Sequence, residues 1–95
     1  MSVSPGPVRW RVLFSGRVQG VGFRYTTVRI SGGYAVRGYV RNLPDGRVEL
    51  VAEGTRSELE RFVEAIREAM SGNIQGEQKE ECPATGEFRA FDIRV

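Results

Sequence analysis

Thr55-Arg-Ser-Glu58 opens a segment that leaves little freedom in how this chain can fold. Thr55 and Glu58 match a capping box, each side chain placed to satisfy an amide of a helix's first turn. Beyond them Leu59, Phe62, Val63, Ile66 and Met70 recur at i, i+3, i+4, i+7 and i+11, one apolar stripe. Gly72 suits the helix stop. A helix apolar on one side has to be covered. In a chain of 95 residues, one domain's worth, the cover must come from the same core.

The remaining periodic segments supply that cover. Val8, Trp10, Val12 and Phe14 alternate with Arg9, Arg11 and Leu13, the period of a half-buried strand. Phe23, Thr27, Ile30 and Tyr34 then fall at helical spacing, and Gly32-Gly33 offers that first helix a place to end. Val36 to Asn42 alternates again, and so does the run through Val48, Leu50 and Ala52. Leu43-Pro44-Asp45-Gly46 is the turn between them, so the two runs form a hairpin. Residues 73–86 are polar and read as a weak strand with flanking loops, their Glu77–Glu81 charge run as a solvated edge or loop. Phe91, Ile93 and Val95 alternate as a closing strand. The order strand–helix–strand–strand–helix–strand is the split βαβ pattern of an α+β, ferredoxin-like α/β sandwich. Its antiparallel sheet would carry two helices on one face. Residues 1–95 are expected to be a single domain with residues 1–7 as a flexible N-terminal extension.

Composition narrows the chemistry more than the fold. The chain has no histidine and one cysteine, Cys82, which excludes Ser-His-Asp and Cys-His arrangements, Cys-based zinc sites and an intramolecular disulfide. No Asp/Glu cluster has a metal-ligand spacing, so no metal and no cofactor are expected. A net charge of +2 is spread among interleaved arginines and carboxylates, unlike the concentrated basic face of a nucleic-acid binder. Only Tyr39 between Arg37 and Arg41 has the aromatic-among-basic character of an RNA-reading strand. Neither a bilayer-spanning run nor a signal-peptide pattern is present, so a cytoplasmic protein without nucleic-acid or membrane partners is expected.

The chemistry-bearing candidate is Gly16-Arg-Val-Gln-Gly20-Val-Gly22-Phe-Arg24, between the first strand and the first helix. Free amides and the dipole at a helix N-terminus favour an anion. Glycines let successive N–H groups turn inward as a nest, and Arg24 adds a planar two-pronged donor matched to phosphate. The spacing fits neither a Walker A loop nor G-x-G-x-x-G. On the residues alone, the same glycines equally serve as a tight connection with Arg24 solvated. Asn42, polar on the face of Val36 and Val40, equally serves as an ordinary turn-starting residue.

Gly16 to Arg24 resembles the phosphate-binding loop of the acylphosphatase family, and Thr27 matches the threonine that comes after it. Gly38-Tyr-Val-Arg-Asn42-Leu-Pro-Asp-Gly46-Arg-Val-Glu49 is similar to that family's second motif. The likeness runs from about Val12 to Met70, with Phe88-x-x-Phe91-x-Ile93 fitting the closing strand. It implies the same ferredoxin-like fold and hydrolysis of the carboxyl-phosphate bond of a small-molecule acyl phosphate, without a cofactor. By that resemblance Arg24 binds the phosphate, the amides of Gln19, Gly20, Val21, Gly22 and Phe23 line the cradle, and Asn42 places the water. Inorganic phosphate or sulfate is expected to fit the same loop, and the protein to be a monomer. A non-catalytic anion-binding module of the same fold is the alternative. The chain departs from the family at Tyr34-Ala35-Val36, where Leu-Gly-Leu is usual. It departs again at Gly32-Gly33, where better helix formers stand, and at Gly72-Asn73, where Gly-Pro is expected.

Overall fold

A computed structural model describes residues 6–95. Most of the expected N-terminal extension, residues 1–5, lies outside the described residues; Gly6 and Pro7 are exposed and lead into the first strand. The elements are β1 (Val8–Gly16), α1 (Phe23–Ser31), β2 (Arg37–Asn42), β3 (Val48–Gly54), α2 (Arg56–Ala69), β4 (Ile74–Pro83) and β5 (Phe91–Ile93). They form one sheet in the order β4-β1-β3-β2-β5.

Register converts the period-two pattern into a core. Val12 faces Leu50, Phe14 faces Val48 and Val40 faces Leu50, so one face of the sheet presents these apolar side chains together. The α2 stripe of Leu59, Phe62, Val63 and Ile66 lies against that face, all four essentially inaccessible to water. Each such side chain stabilises the fold by roughly 1.5–3 kcal/mol. α1 adds Phe23 and Thr27 and stops at Ser31, where amides of Gly32, Gly33 and Tyr34 bond back to Arg29, Ile30 and Ser31. Tyr34 thus lies beyond the helix, yet its ring packs 6.0 Å from Phe62.

The capping box forms by half. Thr55 Oγ1 accepts the Glu58 amide at 3.2 Å, but Glu58 Oε1 accepts the amide of Ala35 at 2.8 Å instead of a local one. The carboxylate thereby pins the α1–β2 connection to α2.

The sheet is mixed rather than wholly antiparallel, because β5 runs parallel to β2. β4 ends where β1 and β2 begin, since Val8 faces Pro83, and the chain crosses to the far edge at that end. A strand begun there can only run alongside β2 in the same direction. The crossing uses the helix-free face: Glu53 accepts the amides of Thr85 and Gly86, both at 2.9 Å, and Phe88 packs on Tyr39. Charged pairs cover the rest of that face. Glu49, only 2% exposed, takes Arg11 at 2.7 Å and Arg41 at 2.5 Å. No described helix is long and apolar enough to cross a membrane.

Candidate active site

β1 delivers the chain to Gly16, and seven residues later α1 begins at Phe23. Gly20 and Gly22 take φ of 77° and 79°, left-handed values that a side chain would strain, and open space lies where their Cβ atoms would stand. Gly22 is the N-cap of α1 and supplies no side-chain cap. The first intrahelical bond is Thr26 N–H to the Gly22 carbonyl, at 3.0 Å. The amides of Phe23, Arg24 and Tyr25 precede it and have no helical partner. No acidic residue occupies this first turn, so no side-chain charge offsets the positive end of the helix.

Phe23 sets the direction of the next side chain. Its buried ring lies 5.2 Å from Phe14, and its carbonyl accepts Thr27 Oγ1 at 2.9 Å, which locks the first turn. With Phe23 facing the core, Arg24 points to the mouth of the loop. Among the described residues its guanidinium makes no ion pair or hydrogen bond. Arg41, one residue before Asn42, is by contrast committed to Glu49 on the other face.

Asn42 ends β2 opposite Val48, which in turn faces Phe14, so it stands level with the end of β1, across β3, on the helix-bearing side. Its Oδ1 is buried and accepts no hydrogen bond among the described residues. An unsatisfied buried acceptor costs about 1–3 kcal/mol, so this oxygen is an exception to the usual pairing of buried polar groups. Asn42 also lines a cavity of about 220 Å³, together with Val18, Gly20, Gly22, Phe23, Arg24 and Tyr25.

The structure therefore brings Gly20, Gly22, Phe23, Arg24 and Asn42 to one cavity. Gln19 and Val21 are not in its lining. The Gln19 side chain turns to the β2–β3 turn, and Val21 packs on the edge of the core. Sequence reasoning missed Val18, buried beneath the loop, and Tyr25, whose 73% exposure makes it the rim. Adjacency to Gly-x-Val-x-Gly and to Arg24 was the only signal for either.

Electrostatics favour an anion. At the turn tip Arg47 donates to Asp45 from its amide at 3.0 Å and its Nε at 2.8 Å, holding the Asp45 carboxyl below its ordinary value. The carboxylate on the turn is therefore ionised and paired with a guanidinium. Burial pushes the Glu49 carboxyl up, but bonds from Arg11 and Arg41 outweigh it and leave the pKa lowered. No group of three or more Asp, Glu or Cys side chains among the described residues could hold a metal. A larger hollow of about 450 Å³ lies at the opposite end of the strands, near Arg37 and Phe88. Its one carboxylate, Glu53, is saturated by Arg9, Thr85 and Gly86, which leaves it without a reactive centre.

The acylphosphatase family model matches residues 10–93. The chain is 45% identical over 87 residues to the acylphosphatase of Rubrobacter xylanophilus, covering 90% of this chain and 79% of that one. It is 38% identical over 89 residues to that of Acaryochloris marina, covering 94% and 96%. The crystal structure of acylphosphatase from Bacillus subtilis superposes with a TM-score of 0.82 at 32% identity, covering 93% of this chain and 99% of the other.

Proposed function

This chain belongs to the acylphosphatase family and is an enzyme that hydrolyses acyl phosphates; we propose that Arg24 and the amides of Gln19, Gly20, Val21, Gly22 and Phe23 hold the phosphoryl group while Asn42 orients the attacking water. The observation that carries this reading is that Asn42, whose Oδ1 is buried without a partner among the described residues, lines the same cavity as Arg24. An oxygen acceptor there takes one water hydrogen and turns the water's lone pair toward phosphorus.

The reaction asks for little more. A carboxylate is a good leaving group, and a loose phosphoryl-transfer transition state needs mainly positioning and charge stabilisation. Water oxygen bonds to phosphorus as the bond from phosphorus to the acyl oxygen breaks. One water proton passes to a phosphoryl oxygen, giving a carboxylate and dihydrogen phosphate. Arg24 and the α1 amides stabilise the equatorial oxygens, which suits a chain without histidine. The two helices and the sheet act here as one domain, a monomer in the cytoplasm, and inorganic phosphate or sulfate competes for the same loop.

Inhibition by inorganic phosphate tests the assignment of Arg24. A charge-assisted contact of about 1.5–3 kcal/mol corresponds to a phosphate Ki raised roughly 10- to 150-fold in Arg24→Ala. A Ki equal to that of the unaltered protein would remove Arg24 from the cradle.

A further inference from the structure

The phosphate loop and the turn after Asn42 are joined by one side chain. Gln19 Nε2 donates to the Leu43 carbonyl at 2.8 Å and to the Arg47 carbonyl at 2.9 Å. Those two carbonyls also close the turn on itself, since Leu43 N–H donates to Arg47 O at 2.8 Å and Gly46 N–H to Leu43 O at 3.1 Å. Both amide protons of Gln19 are used, and both go to backbone atoms that define the turn. Leu43 is the residue after Asn42.

We propose that Gln19 is a positioning residue for hydrolysis, fixing the phosphate loop against the β2–β3 turn so that the bound phosphoryl group and the Asn42 amide keep their separation. This rests on Arg24 holding the phosphate and Asn42 orienting the water. The cradle amides and Arg24 belong to a single continuous stretch, from the loop into α1, whereas Asn42 belongs to β2. Phosphate needs only the first of these units. Hydrolysis needs both in register, because a reacting pair must be held within about 3–3.5 Å and aligned. Cutting the Gln19 bonds therefore leaves the anion site whole and loosens its relation to the water. At its other end the loop is held independently, Arg17 N–H donating to the Asn73 carbonyl at 2.9 Å, and Val18 is buried between the two attachments.

The variant that tests this is Gln19→Met, close in length but without a donor. Benzoyl phosphate hydrolysis is measured for it, for Asn42→Ala and for the double variant, with inorganic phosphate as competitive inhibitor. Gln19→Met is expected to lower kcat by about 10- to 100-fold, with the phosphate Ki within about twofold of the unaltered protein. In the Asn42→Ala background the same change is expected to cost less than about threefold, because there is no longer a positioned water to misplace. An equal loss in both backgrounds, or a loss confined to phosphate affinity, would overturn the tether while leaving Asn42 in its role. Undiminished kcat in Asn42→Ala alone would overturn the reading beneath it, and the tether with it. Gln19→Ala gives the same readout should methionine distort the loop.

Discussion

Arg17 and Asn73 hold one another by two hydrogen bonds. The Arg17 amide donates to the Asn73 carbonyl at 2.9 Å, and Asn73 Nδ2 returns to the Arg17 carbonyl at 3.0 Å. The Asn73 amide in turn donates to the Met70 carbonyl at 2.9 Å, so one residue ties the end of α2 to the start of the loop between β1 and α1. Proline, expected here by resemblance, has neither the side-chain donor nor the N–H. Asn73→Ala is expected to lower stability by about 1 kcal/mol, read as a lower urea midpoint, with kcat within about twofold. An unchanged midpoint would mean the side-chain bond contributes nothing.

Acid should loosen the helix-free face. Glu49 and Glu53 both sit below the ordinary carboxylate range: burial opposes this, but Arg11 and Arg41 hold down the first, and Thr85, Arg9 and Gly86 the second. On the helix-bearing side, Glu81 is also lowered, to about 2, by hydrogen bonds from Arg56 of α2 and then Trp10. A depressed folded-state pKa stabilises fully above the unfolded value, roughly 4.3, and that contribution is lost as pH falls through the folded value. Stability is therefore expected to be flat near neutrality and to fall below about pH 4.3. Glu49→Gln should be less stable at pH 7 by roughly 1–3 kcal/mol and show a shallower acid slope. Parallel pH curves for the two proteins would contradict the Glu49 assignment.

Phe62 is the keystone of the packing between α2 and the late strand. It is fully buried, 5.3 Å from the ring of Phe91 on β5 and 6.0 Å from Tyr34. Phe62→Ala is expected to destabilise by about 3–5 kcal/mol, seen as a lowered thermal midpoint. What remains folded should still hydrolyse acyl phosphates, because Phe62 does not line the site cavity. Loss of activity in fully folded protein would show that the core and the site are coupled more tightly than their separation implies.

The parts of the fold legible in the sequence were those whose pattern is local. The stripe from Leu59 to Met70 and the alternation of β1, β2 and β3 each announce a single apolar face, and each was buried as expected. β4 was only faintly legible because it is an edge strand with both faces largely exposed. Its charge run is not merely solvated: Glu77 pairs with Arg67, Glu81 with Arg56, and Lys79 lies 3.9 Å over the Trp10 ring. The parallel placement of β5 depends on a crossing held by Glu53, some thirty residues away in sequence, and leaves no local mark. At the site, Arg24 and Asn42 stand out because their side chains belong to motifs. The attachments made by Gln19 and Asn73 end on backbone carbonyls, which any residue carries, so the sequence has no partner to point to.

The most direct test is benzoyl phosphate hydrolysis by the unaltered protein and by Asn42→Ala, with EDTA present and inorganic phosphate as inhibitor. Metal-independent turnover is predicted for the first. For the second, kcat is predicted to fall by about 100-fold or more, the order seen when a positioned polar group is removed, with phosphate inhibition unchanged. Full turnover by Asn42→Ala, or a defect seen only in phosphate binding, would contradict the role assigned to Asn42.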